Sequence, residues 1–98
     1  MAKKAVVGRP KDASNIAIFK ILADHNRYRC IALLMKSKRG ESVSVLAEAL
    51  GMSHSSVSHM LAVLHDAGIV NYTKKGREVL YTMAKTPQAK RVALLMMV

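Results

Sequence analysis

The sequence predicts a mainly α-helical fold with one β-hairpin: five helices, two strands, and a second copy paired against the first. Three observations predict it. Two helix-length segments, Val43 to Leu50 and Ser53 to Asp66, are joined by a tight turn at Gly51-Met52-Ser53. Ile69 to Met83 then alternates apolar and polar residues around Lys74-Lys75-Gly76-Arg77, as a hairpin requires. Finally, 51% of the 98 residues are hydrophobic, more than a small monomer readily hides, and pairing with a second copy would bury the excess.

Taken in order, Met1 to Lys11 is basic and interrupted by Gly8 and Pro10, so residues 1–11 are expected to form a flexible arm before a domain spanning 12–98. Gly8-Arg9-Pro10-Lys11 shares a few residues with hooks that enter the DNA minor groove, but an ordinary tail is the better account of them. Asp12 or Ser14 can cap a first helix through about Ala23, with Ile16, Ile18, Phe19, Ile21 and Leu22 supplying apolar surface. Asp24 caps a second helix to about Lys36, whose centre, Cys30 to Met35, is apolar all round and so should be buried on nearly all faces. The third helix turns Val45, Leu46, Ala49 and Leu50 inward. Ser53 caps the fourth and Gly68 ends it. Ile69–Thr73 pairs with Glu78–Met83 around a four-residue tip, with Val70, Tyr72, Val79, Tyr81 and Met83 half-buried. Thr86-Pro87 opens a last helix.

Helix, turn, helix and hairpin in this order make a winged helix-turn-helix, a shape that enters DNA grooves. Sixteen Lys and Arg against six Asp and Glu give a net charge of +10, which favours a polyanionic partner. A membrane surface is the weaker choice, because no apolar run approaches the ~20 residues that span a bilayer. The first residues lack the apolar segment of a signal peptide, and a lone cysteine suits a reducing cytoplasm. No Ser-His-acid set or Gly-rich phosphate loop argues for an enzyme, and no cofactor is implied.

At about 100° per residue, Val57, Met60, Leu61 and Leu64 share one side of the fourth helix, while Ser55, Ser58, His59, Ala62 and Asp66 share the other. Short polar side chains let a helix backbone approach base edges in the major groove. Ser55 and Ser58 can donate or accept, His59 can donate to a purine acceptor, and Ala62 can meet a thymine methyl. An idle exposed face would carry Lys and Glu, and this one has neither. Lys36, Lys38 and Arg39 before the third helix, with Lys74, Lys75 and Arg77 at the hairpin tip, flank it as phosphate contacts, and Arg77 can reach the minor groove.

These residues resemble the ArsR/SmtB family of prokaryotic winged helix-turn-helix repressors. The matching segments are Leu22-Ala23-Asp24 with Arg27-Tyr28-Arg29, then Leu46 to Val70 (LAEALGMSHSSVSHMLAVLHDAGIV), then Gly76-Arg77 with Tyr81. The resemblance implies a homodimer joined by the first and last helices, and repression relieved by an effector. It implies that Ser53, His54, Ser55, Ser56, Ser58 and His59 form the reading segment and Lys74 to Arg77 the wing tip. It also implies a departure. Many members sense metals through a Cys-x-Cys pair at the start of the third helix, where this chain has Ser42 and Ser44, poor ligands for soft metals. Others use Asp and His on the last helix, and Thr86 to Val98 has neither. His54 and His59 lie about 140° apart around their helix and cannot chelate one ion. No metal is expected, and the sequence names no effector.

Cys30 stands where the family usually carries a branched aliphatic residue. A small buried hydrophobe is the expected role, and a redox-responsive repressor acting through this thiol is the competing one. The composition also admits a chromatin-type protein that coats DNA without sequence preference, and an interaction module gripping a partner through Met96 and Met97.

Overall fold

A helix leaves its first N–H groups without partners, and four short polar side chains supply acceptors here. The computed structural model describes residues 10–97. Its elements are α1 (Pro10–Leu22), α2 (His25–Lys36), α3 (Val43–Leu50), α4 (His54–Asp66), β1 (Val70–Lys75), β2 (Glu78–Met83) and α5 (Pro87–Met96). Asp24 accepts from the Arg27 N–H at 2.9 Å, Ser42 from Val45 at 3.2 Å, Ser53 from Ser56 at 3.1 Å and Thr86 from Ala89 at 3.0 Å. The helix starts expected at Asp24 and Ser53 are therefore found. The start of α1 is not: the helix already includes Pro10, so Asp12 and Ser14 lie inside it rather than capping it. Proline suits a first turn because its missing N–H needs no partner there and its φ is already helical. The remainder of the expected arm, residues 1–9, lies outside the described residues.

The core is built around α2 and α4. Cys30, Ile31 and Leu34 from α2 meet Leu46, Ala47 and Leu50 from α3 and Val57, Met60, Leu61 and Leu64 from α4, with Ile18, Ile69, Val70 and Val92 closing the periphery. Two expectations of burial change. Val45 and Ala49 are exposed, because the inward stripe of α3 is Leu46, Ala47 and Leu50, one residue round from the stripe expected. On α2, Ala32, Leu33 and Met35 are only half-buried, so one chain does not cover that helix on all faces.

Gly51 ends α3 at φ +67°, a left-handed conformation that costs a side-chain-bearing residue about 1–2 kcal/mol. Its turn sends the Met52 N–H back to the Ala47 carbonyl at 3.0 Å, closing the α3 end and aiming α4 across it. From the other side, Arg29 of α2 donates to the carbonyls of Leu50 at 3.4 Å and Ala49 at 3.3 Å. The two-helix unit is thus held to α2 by a cation at the negative end of α3.

The wing is an antiparallel pair in register from Val70↔Met83 to Lys75↔Glu78, so its turn is the two residues Gly76 and Arg77. Lys74 and Lys75 belong to β1, not to a four-residue tip. In β1 only Val70 is buried and Tyr72 is exposed, so the expected half-buried alternation fails there. β1 beyond Val70 has no covering layer, whereas β2 is half-buried from Val79 to Met83. Glu41 and Tyr81 exchange backbone hydrogen bonds of 2.9 Å each way, tying the α2–α3 loop to β2. Arg91 of α5 donates to Ser14 of α1 at 3.0 Å, bringing the last helix against the first.

Candidate nucleic-acid interface

The exposed face of α4 follows from what its other face buries. Val57, Met60, Leu61 and Leu64 are all enclosed, which turns Ser55, Ser58, His59, Ala62 and Asp66 to solvent. The face carries no Lys, Arg or Glu, and its one carboxylate, Asp66, lies at its far end. Of the serines assigned to reading, Ser53 and Ser56 are engaged elsewhere. Ser53 Oγ takes the Ser56 N–H at 3.1 Å and donates to Ser56 Oγ at 2.8 Å, so both hydroxyls serve the cap. Ser55 Oγ is 3.4 Å from Ser53 Oγ, a longer contact that leaves it free to turn outward.

His54 makes a contact outside its own helix. It sits at the edge of the face, roughly 80° around the helix from Ala62, and its Nε2 lies 3.1 Å from Ser44 Oγ of α3. Ser44 and His54 border a cavity of about 350 Å³ with Ser42, Val43, Arg77, Glu78 and Val79. The start of α3, the start of α4 and the tip of the wing therefore share one concave surface. In the sequence Ser44 stands out only as a position without a thiolate. The sequence shows the turn at Gly51 but not the angle at which α4 then packs on α3, which is what brings Ser44 to His54.

Lys36, Lys38, Arg39, Lys74, Lys75 and Arg77 are all exposed. Among the described residues the one charge pair is His65 with Asp66 at 4.0 Å, so none of these six cations is neutralised by a nearby carboxylate. Their charge is available to an external polyanion. Lys36, Lys38 and Arg39 lie at the end of α2 and in the α2–α3 loop, which pairs with β2 through Glu41 and Tyr81, and Lys74, Lys75 and Arg77 lie in β1 and the wing turn.

Cys30 is completely buried, and burial pushes its thiol up to about 11. A thiol in such surroundings is poorly nucleophilic, which argues against a redox-responsive role. Ser42, the other residue at the family's thiolate position, caps α3. Among the described residues no group of three or more His, Cys, Asp or Glu side chains converges on a metal position. No helix of the described residues is long and apolar enough to cross a membrane.

The family model described as bacterial regulatory protein, arsR family, matches residues 24–72, half of the chain. A Synechocystis protein named transcriptional repressor SmtB homolog is 38% identical over 66 residues, covering 67% of this chain and 48% of that protein. The chain thus spans about half the length of that relative. A Halobacterium salinarum relative that bears the ArsR name is 30% identical over 90 residues, covering 92% of this chain and 70% of its own length. Among solved structures, a Mycobacterium bovis domain described as a homodimeric winged helix-turn-helix DNA-binding domain superposes with a TM-score of 0.75 at 25% identity, over 99% of this chain and 88% of that one. With a winged helix-turn-helix fold, a matching family model and relatives across most of its length, the chain belongs to the arsR family of bacterial regulatory proteins.

Proposed function

We propose that this chain is a sequence-specific DNA-binding transcriptional regulator, a homodimeric repressor that sets α4 of each protomer into successive major grooves of a pseudopalindromic operator. The observation that carries the reading is the exposed face of α4, which presents Ser55, Ser58, His59 and Ala62 without Lys, Arg or Glu, together with six exposed cations on the α2–α3 connection and the wing. Ser55, Ser58, His59 and Ala62 read base edges, while Lys36, Lys38, Arg39, Lys74, Lys75 and Arg77 contact the phosphate backbone. Membership of a family whose relatives are named as repressors supports the regulatory role.

Pairing through α1 and α5 is supported by the apolar side chains they leave in solvent. Ile16 and Phe19 of α1 are each 54% exposed, and Leu94 and Met97 at the end of α5 are 67% and 75% exposed. A second copy laid against these two helices would cover them and give the twofold symmetry that a pseudopalindrome mirrors.

Genome-wide footprinting of the purified protein tests the proposal. It should return a pseudopalindromic site whose half-sites lie about one helical turn apart. Failure to bind any duplex at low ionic strength would sink the reading. Equal affinity for the recovered site and for random duplex would instead support a coating protein.

A further inference from the structure

We infer that the cavity between α3, α4 and the wing tip is a seat for one backbone phosphate, held by His54 and Arg77, with Ser44 fixing the histidine ring. The inference rests on the DNA-binding reading above and changes the part His54 plays in it, from base reader to phosphate ligand. Three facts support it. His54 Nε2 is 3.1 Å from Ser44 Oγ, so the ring is tethered to α3 and turned away from the centre of the reading face. Arg77, at the tip of the wing, borders the same cavity of about 350 Å³. Finally, both residues are exposed, so an anion can reach them.

The tether gives the ring a charge-dependent role. A neutral imidazole has one N–H and one acceptor nitrogen, whereas the protonated ring donates from both nitrogens. With one N–H directed at Ser44 Oγ, the other is left for a phosphate oxygen, now with a full positive charge behind it. The ionisable groups that line the cavity with His54 are Arg77 and Glu78, both from the wing; α3 presents only Ser42, Val43 and Ser44. Arg77 attracts the phosphate, and Glu78, which faces Lys75 across the hairpin, repels it. A bound phosphate favours the protonated ring, so by linkage duplex binding should tighten as pH falls.

The test uses a fluorescein-labelled random duplex of about 30 base pairs, long enough for both protomers, because a phosphate contact needs no particular sequence. Affinity is measured by anisotropy at pH 6 and pH 8 across a salt series. The intact protein should bind more tightly at the lower pH, by on the order of tenfold per protomer. His54→Gln, which can still bond to Ser44 but carries no charge, should remove most of that difference and lower the salt slope at pH 6 by about 1 per protomer. His54→Lys should bind tightly at both values. The inference is overturned if His54→Gln retains the full pH dependence and salt slope, or if the intact protein binds equally well at both values. Binding to the duplex at either pH leaves the DNA-binding reading standing in those cases; no binding at all would remove both.

Discussion

Gly40, at the junction between the α2–α3 loop and the wing, gives the sharpest test of how the hairpin is attached. Its φ is +97°, and a Cβ built there would lie 3.0 Å from Thr82 Cγ2, 3.1 Å from Leu80 Cβ and 3.1 Å from the Tyr81 carbonyl oxygen. Gly51, at φ +67°, has nothing within 4 Å of the same position. Both Gly→Ala changes incur the left-handed backbone cost of about 1–2 kcal/mol, less about 0.4–1 kcal/mol regained by stiffening the unfolded chain. Gly40→Ala adds overpacking against β2 of about 1–3 kcal/mol, since two of its three contacts are with a β-carbon and a backbone oxygen that cannot swing aside. The expected losses are therefore about 1 kcal/mol for Gly51→Ala and about 2–4 kcal/mol for Gly40→Ala. In a domain of this size that separates their melting temperatures by roughly 5–20 °C in far-ultraviolet circular dichroism. The displaced wing should also weaken duplex binding in Gly40→Ala. Equal destabilisation by the two substitutions would refute the claim that backbone packing against β2 fixes the wing.

Further expectations concern the core, the thiol and the two interfaces. Leu61→Ala, at a fully buried position where α4 meets the core, should cost about 2–5 kcal/mol in urea denaturation; a loss below about 1 kcal/mol would mean the core collapses around the gap. Cys30 should resist alkylation in the native protein and react at a rate set by unfolding, and rapid modification would contradict its burial. Because its thiol is raised in the folded state, the stability this group contributes is intact below the ordinary thiol value of 9.0. It should decline as pH rises from there through about 11, where only the unfolded chain has ionised; Cys30→Ser should flatten that decline. Phe19→Glu with Leu94→Glu should yield monomers by sedimentation equilibrium, while an unchanged mass would move the pairing surface elsewhere. Arg77→Ala should weaken binding to all duplexes alike, whereas Ser58→Ala should relax preference at individual base pairs; the opposite pattern would exchange their roles.

What the sequence alone determined is the local grammar. Asp24, Ser53 and Gly51 mark helix boundaries because capping and left-handed turns depend on one or a few neighbouring residues, and Val57, Met60, Leu61 and Leu64 mark a buried face because helical period is local. The exposed face of α4 that is proposed to read bases follows from that grammar, while the family came from the resemblance of whole segments. Tertiary structure decided what lies between elements. It turned Val45 outward, left most of β1 without a covering layer, and committed Ser53 and Ser56 to each other. It also brought Ser44 to His54 and both to Arg77, residues far apart in sequence that meet only after α3, α4 and the wing have packed. Periodicity reports which side of an element avoids water; which neighbour occupies that side depends on packing geometry that no single segment encodes.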